Sequence, residues 1–346
     1  MTDKISALDA RIREYCRENY IFGMLRITQK DEILYEGSYG YADLENEIPF
    51  TSKSAFALYS MSKPFCIMGL LKLYDRGLVD LDAHPSRYLP EASGLHPRVT
   101  VRHMLHHISG LPDFEQNKDF RARCKSGPPH LMREHIKLIA DYPMYFEPGT
   151  AGKYANINII MAALIIENVS GLSYAEYMKK EVFEPLGMKG ALVDNPTLVI
   201  ADRVEGYDLV DGTPVRVDKS YDWLFGAGDI IATLDDVYAL NLAIKNKLLL
   251  KAETWRASLT PTSVYPFGMG SHISIWHGKP RITHNGGHNG FRTLHIQLPE
   301  DDFDIIFLSN SGYGDARNEI SEMIFEAFYN ECDAPSDKVE MDKGYI

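Results

Sequence analysis

Ser60-Met61-Ser62-Lys63 is the first grouping in the chain whose residue types and spacing suit covalent chemistry. A serine hydroxyl attacks a carbonyl poorly unless a base takes its proton in the transition state. A lysine serves as that base only when burial or a neighbouring cation keeps it neutral. Three residues apart on a helix, the two side chains share a face and can touch. The helix N-terminus would also aim backbone N–H groups and partial positive charge at Ser60. Alone the pattern discriminates little, because roughly one Ser-x-x-Lys arises by chance in a chain of this length. A capping serine beside a surface lysine is then the plainer reading.

Two further groupings bear on the same chemistry. Tyr154-Ala155-Asn156 follows the loop Glu147-Pro148-Gly149-Thr150 and precedes an apolar run. A tyrosine there relays a proton if a nearby lysine lowers its pKa, and Asn156 offers an amide to a substrate carbonyl or N–H. In isolation this is equally a packed loop tyrosine with a capping asparagine. His284-Asn285-Gly286-Gly287 lies just ahead of a strand expected at 290–299. Its glycines would let a substrate backbone approach closely, and the following N–H could join that of Ser60 as an oxyanion hole. His284 would orient a substrate carboxylate or support the proton network. By itself the segment reads as the glycine-rich start of a hairpin.

The elements that must position these residues follow from periodicity. Ile5, Leu8, Ile12 and Tyr15 mark an amphipathic first helix. Ile21–Thr28 and Glu32–Tyr41 read as strands, with Gln29-Lys30-Asp31 between them. Met61–Arg76 turns helical and stops at Gly77, so Ser60 stands at a helix start. Helices and long Pro/Gly-rich loops are expected from 78 to 225: a helix capped at Thr100, a buried helix Asn156–Ser170 closed by Gly171, and Tyr174–Phe183 ended by Pro185. Residues 228–250 also read as helix. Strands return at Gly270–Trp276, Gly290–Pro299 and Phe303–Asn310, before a helix Ile320–Tyr329. The expected class is α+β: an antiparallel sheet built from N- and C-terminal segments, flanked by helices, with an inserted helical lobe. Residues 1–77 with 228–332 would form the sheet-and-helix domain, 78–227 the lobe and 333–346 a polar tail.

Taken together, the order of the three groupings and their settings resembles the class C β-lactamase and penicillin-binding protein family of serine hydrolases. The likeness spans about residues 20–312. Leu78-Val79-Asp80-Leu81-Asp82, Tyr88-Leu89-Pro90, His107-Ile108-Ser109-Gly110-Leu111-Pro112, Pro185-Leu186-Gly187-Met188 and Gly226-Ala227-Gly228-Asp229 with Thr233 and Asp235 are similar to its connecting segments. The resemblance implies Ser60 as nucleophile, Lys63 as its proton partner and Tyr154 as second acid and base. It implies Asn156 as binder of the substrate amide, with His284, Asn285 and Gly286 in the third motif. The N–H groups of Ser60 and Gly287 would form the oxyanion hole. The third motif departs from the Lys-Thr-Gly of class C β-lactamases. Histidine, largely neutral near pH 7, supplies no permanent cation for a β-lactam carboxylate. The expected activity is therefore esterase- or peptidase-like, with weak or no β-lactamase activity. A D-alanyl carboxypeptidase or D-aminopeptidase acting on cell-wall-derived peptides is a second enzymatic reading, and a non-catalytic scaffold or sensor a third.

Bulk properties narrow the partners. The net charge of −12 opposes a phosphate-tracking nucleic-acid binder and adhesion to anionic membranes. No apolar run is long enough for a membrane span, and residues 1–20 show no export signal, so a cytoplasmic location is expected. Cys16, Cys66, Cys124 and Cys332 are scattered and read as free thiols. His103, His106 and His107 lack metal-site spacing, and neither a metal nor an organic cofactor is expected. The partner is a small ester, amide or peptide substrate, with oligomeric state undetermined. Tyr221, Trp223 and Phe225 are candidates to line an acyl pocket, against a plainer role in packing.

Overall fold

The computed structural model describes residues 2–113, 131–195, 198–217 and 224–329. Helix α1 (Thr2–Glu18) leads to strands β1 (Gly23–Gln29) and β2 (Glu32–Tyr39). Lys30 and Asp31 between them both have positive φ, 52° and 64°, the twist a two-residue hairpin turn requires. Short strands β3 (Tyr41–Asp43), β4 (Ile48–Pro49) and β5 (Phe56–Ala57) precede a 3₁₀ turn, Tyr59–Ser62, that runs into α2 (Lys63–Asp75). The next elements are α3 (Val101–Leu105), α4 (Leu131–Ile139), α5 (Asn156–Ser170) and α6 (Tyr174–Met178), the last continuing as a π turn, Lys179–Phe183. Then come β6 (Leu192–Val193), β7 (Tyr207–Val210), β8 (Thr213–Arg216), β9 (Ile230–Ala232), α7 (Leu234–Asn246) and α8 (Ala252–Ser258). The chain returns to the sheet with β10 (His272–Trp276), β11 (Lys279–His288), β12 (Phe291–Leu298) and β13 (Phe303–Ser309), and then forms α9 (Ala316–Tyr329).

The main sheet is antiparallel, in the order β10-β11-β12-β13-β1-β2. It joins the two ends of the chain through β1 and β13, from Gly23↔Ser309 to Gln29↔Phe303. Alternation along these strands sorts the two faces. Leu25, Ile27, Ile305 and Phe307 pack with Leu8 and Ile12 of α1 and Ile324 and Phe325 of α9. Met24, Ile306 and Leu308 face the other way, into the cluster that holds α2 and α5. Helix α5 is apolar on every side and central to that cluster, and Gly171 closes it at φ 71°. Among the described residues no single helix is long and apolar enough to cross a membrane.

The α+β class and the sheet of N- and C-terminal strands are as expected, but several elements differ. His284–Gly287 precedes β12, the strand expected at 290–299, but it also lies inside β11, a ten-residue strand that the sequence hides. Its Gly, Asn and His residues are poor strand formers, and their place there is set by packing. The stretch 228–250 is not one helix. It begins as β9, and Thr233 then caps α7 in a capping box with Asp236. The region 78–225 also carries the β7–β8 hairpin and β6. The final helix starts at Ala316, ahead of Ile320. Tyr221, Trp223, Cys124 and Cys332 lie outside the described residues. Phe225 packs its ring on Tyr174, 5.2 Å between centroids.

A buried polar group lies between α7 and the sheet. Asp304 accepts hydrogen bonds from Thr28 Oγ1 at 3.2 Å and Asn241 Nδ2 at 3.3 Å. Burial nonetheless pushes its carboxyl up to about 7. A raised carboxyl pKa means the folded state holds its proton more tightly than the unfolded chain. That contribution is full below about pH 4, the unfolded value, and is lost as pH rises to about 7. Asp304→Asn is therefore expected to raise Tm relative to the native chain at pH 8 and to make little difference at pH 4. A Tm difference that does not grow between those two pH values would contradict this.

Candidate active site

Ser60 sits in the 3₁₀ turn that opens onto α2, and Lys63 is the first residue of that helix. The turn and the helix share right-handed backbone geometry through Ser62 and Lys63, so positions 60 and 63 stack on one side. Lys63 Nζ donates to Ser60 Oγ at 3.0 Å and to the carbonyl of Ala227 at 2.7 Å. Ser60 stays partly open to solvent, while Lys63 is fully buried. Among the described residues Lys63 forms no ion pair. Burial lowers its pKa to about 7, against the opposing charges of Asp113 and Asp229. Burial thus favours the free amine, the state a base needs.

The residue before Ser60 is strained. Tyr59 has φ 48°, a conformation that costs a non-glycine residue about 1–3 kcal/mol and persists only when its surroundings impose it. His288 and Phe291, at the β11–β12 turn, pack on its ring at 5.4 and 5.9 Å. Around it, Leu58 N–H donates to Ile230 O at 2.9 Å and Ile230 N–H to Ser62 Oγ at 3.0 Å. Thr293 Oγ1 donates to Leu58 O at 3.0 Å. The Ser60 turn is thus held from both β9 and the main sheet.

Tyr154 stands across from Lys63, whose Nζ is 4.8 Å from the centre of its ring. The ring stacks on His107 at 4.5 Å and meets Phe267 edge-on at 5.9 Å. His107 Nδ1 accepts the Ala155 N–H at 3.2 Å, and burial drops this imidazole to about 3, so it is neutral. The Tyr154 hydroxyl is buried and has no partner of good hydrogen-bond geometry among the described residues. Burial pushes its pKa well up, and the nearby Ser60 hydroxyl pulls it back only in part. The resting form is a phenol, a proton donor and not a phenolate. This differs from the expectation that the lysine would lower the tyrosine pKa: burial of the hydroxyl is the largest influence on it and outweighs the rest. Asn156 opens α5, and its N–H donates to Asp113 Oδ2 at 2.5 Å.

The third motif meets these groups from the sheet. Strand β10 pairs with β11 only as far as Thr283, so 284–288 present an open edge. The β11–β12 hairpin closes with His288↔Phe291 around Asn289 and Gly290, both at positive φ. In such a two-residue hairpin the closing pair is hydrogen-bonded, and bonded and non-bonded pairs alternate. Gly287, opposite Arg292, is then a non-bonded position, with its N–H directed away from β12. Gly286 has no room for a side chain: a Cβ would lie 2.1 Å from Leu58 O, 2.5 Å from Thr293 Oγ1 and 3.1 Å from Met61 N. The strand is pressed onto the nucleophile turn at that point. His284 is buried, with Nδ1 2.7 Å from the Asn285 carbonyl, so that nitrogen carries the hydrogen. Burial first, and Lys63 second, hold it well below the usual histidine range. It is a neutral group at the third motif.

The sequence reading brought Ser60, Lys63, Tyr154, His284, Asn285, Gly286, Gly287 and Asn156 to one region. It did not single out the Ala227 carbonyl, although two glycines flanking a small residue signal a close approach of backbone. Asp113 and Asp229 were also missed as groups facing the lysine. His103, His106 and His107 hydrogen-bond to three separate partners, Arg98 O, Phe267 O and Ala155 N. Among the described residues no three His, Cys, Asp or Glu side chains are grouped to hold a metal. Cys66, one turn past Lys63, is buried with its sulfur 3.9 Å from the Ile159 carbonyl, and burial pushes its thiol up.

This is the framework of a serine hydrolase. The chain belongs to the beta-lactamase family, which it matches over residues 8–327. It is 28% identical to a penicillin-binding protein of Bacillus subtilis (strain 168), covering 91% of this chain and 75% of that one. It is 26% identical to a D-aminopeptidase of Gluconobacter oxydans (strain 621H), covering 83% of this chain but 55% of that enzyme. D-amino acid amidase from Ochrobactrum anthropi SV3, solved with L-phenylalanine amide, superposes with a TM-score of 0.80 at 25% identity, over 95% of this chain and 99% of that one.

Proposed function

We propose that the chain hydrolyses small esters and amides, D-amino-acid amides and peptides foremost, through an acyl-enzyme on Ser60. The observation that carries this is the buried amine of Lys63, in no ion pair among the described residues, at 3.0 Å from Ser60 Oγ. Ser60 Oγ attacks the substrate carbonyl as its proton passes to Lys63. The negative charge gathers on the carbonyl oxygen, between the N–H groups of Ser60 and Gly287. Tyr154, a phenol at rest, gives its proton to the leaving nitrogen or oxygen and recovers one from Lys63. Water then repeats the attack on the acyl-enzyme, its proton passes to Lys63 or Tyr154, and Ser60 leaves with a proton restored. Asn156 holds the acyl amide.

The preference for D-amino-acid amides and peptides draws on the relatives, a D-aminopeptidase and a D-amino acid amidase by name. The neutral His284 supports the low β-lactamase activity, because no fixed charge there meets a β-lactam carboxylate. The test is hydrolysis of p-nitrophenyl butyrate, D-alanine p-nitroanilide and nitrocefin by the native chain and by Ser60→Ala. Ester and D-anilide turnover is expected, lost in the variant, with nitrocefin the slowest. A Ser60→Ala variant as active as the native chain would overturn the acyl-enzyme, and nitrocefin as the fastest substrate would overturn the specificity.

A further inference from the structure

The turn that faces Lys63 carries an acidic side chain with no place in the scheme above. Gly226 to Asp229 packs directly behind the nucleophile. A Cβ on Gly226 would lie 2.4 Å from Ala163 Cβ of α5 and 3.1 Å from Cys66 Sγ of α2. The Ala227 and Gly228 N–H groups both donate to Leu224 O, at 2.6 and 2.7 Å. Asp229 closes the turn, its Oδ2 accepting the Gly226 N–H at 2.9 Å. The closed turn directs the Ala227 carbonyl at Lys63 Nζ, 2.7 Å away. The second carboxyl oxygen, Oδ1, is sealed from solvent and has no hydrogen-bond partner among the described residues. Little solvent screens a buried carboxylate, and Asp229 is one of the charges that hold the proton on Lys63, after Asp113 and Cys66.

Resting on the reading of Ser60 and Lys63 given above, we propose that Asp229 is a positioning residue for the acyl transfer. It closes the turn that sets the Ala227 carbonyl on Lys63, and its inward charge opposes release of the lysine proton. The other groups facing this pair are accounted for. Asp113 is the larger of the two carboxylate influences on Lys63, and it already accepts the Asn156 N–H. Cys66 on α2 and Tyr174 on α6 are held neutral by burial. Asp194 is ion-paired with Arg203. His107 and His284 are neutral, and Tyr154 is a phenol. Asp229 is the carboxyl among them whose own charge is unsettled: burial brings it up to about 7, the same range to which burial brings Lys63 down.

The sign of the effect follows. Activity needs Lys63 as a free amine, so kcat/KM rises with pH as the lysine loses its proton. A negative Asp229 holds that proton on. Asp229→Asn removes the charge and keeps an oxygen for Gly226 N–H, so the acid limb of kcat/KM is expected to move about one pH unit lower, with the plateau close to native. Asp229→Ala removes the closure as well and is expected to lower the plateau about tenfold in addition. Should the asparagine variant not fold, Asp229→Ser, an uncharged cap for the same N–H, carries the same expected shift. The experiment is the pH profile of p-nitrophenyl butyrate hydrolysis for native, Asn, Ser and Ala variants, with Ser60→Ala alongside. An acid limb that stays in place in the uncharged variants overturns the role of Asp229. Turnover undiminished in Ser60→Ala overturns the reading of the site on which that role rests.

Discussion

Lys63→Ala is expected to lower kcat/KM by on the order of 10⁴-fold, about as far as Ser60→Ala, because a nucleophile and its base fail as a unit. Lys63→Arg is expected to be no better. A guanidinium stays protonated at every working pH and cannot accept the Ser60 proton. It must also fit where Nζ now bridges Ser60 Oγ and Ala227 O in a fully buried site. Stability should respond differently. Burying an amine without a counter-charge costs folding free energy, so Lys63→Met, apolar and of similar length, is expected to retain the native Tm or exceed it while losing turnover. Rates on p-nitrophenyl butyrate and thermal melts of the same three variants check both halves. An alanine variant within tenfold of native would remove Lys63 from the mechanism. A methionine variant that melts far below native would mean the amine's two hydrogen bonds outweigh its burial.

Gly286→Ala carries the second large effect. The new methyl would sit 2.1 Å from Leu58 O and 3.1 Å from Met61 N, two backbone atoms that flank the nucleophile. Neither side yields cheaply. The strand is locked in register with β12, Gly286↔Thr293, and the turn is pinned through Ile230 and Thr293. Relief requires β11 and the Ser60 turn to separate by an ångström or more, which pulls the two oxyanion N–H groups apart. A loss of about 10²- to 10³-fold in kcat is expected, in the range seen when an oxyanion donor is lost. Gly287→Ala is the comparison. Its methyl would meet the Arg292 side chain, Cδ at 3.1 Å, which can swing away, and the backbone N–H survives. A loss under about tenfold is expected there. Equal losses at the two positions would mean that the close approach of β11 to the turn has no bearing on rate.

Much of this site was legible before any coordinates. Ser-x-x-Lys, Tyr-x-Asn and His-Asn-Gly each carry little information alone, but their order along the chain and the helices around the first two identify them jointly. Helix α5 was visible to the residue because Ile159–Ile166 is an unbroken apolar stretch and Gly171 stops the helix. Strand β11 was hidden for the reason that makes it useful. Gly286 and Gly287 give no strand signal, and the lack of side chains is what lets the strand lie against Leu58 and Met61. The helix expected over 228–250 failed at Ile230–Ala232. Three apolar residues there have no period to read, and pairing with β5 and β6 made them a strand.

The sequence by itself determined the family, the α+β class, the candidate nucleophile with its lysine, and the third-motif histidine in place of a lysine. These reside in residue types and local spacing, which folding does not change. The protonation states were decided only by the tertiary structure. Lys63 is brought down because α2, α5 and the Gly226–Asp229 turn enclose it, with no ion pair among the described residues. Tyr154 stays a phenol because His107 and Phe267 cover it. Asp229 comes to the lysine across 166 positions of chain. A pKa depends on what displaces water around a group and on which charges remain nearby, and those neighbours arrive from distant parts of the chain.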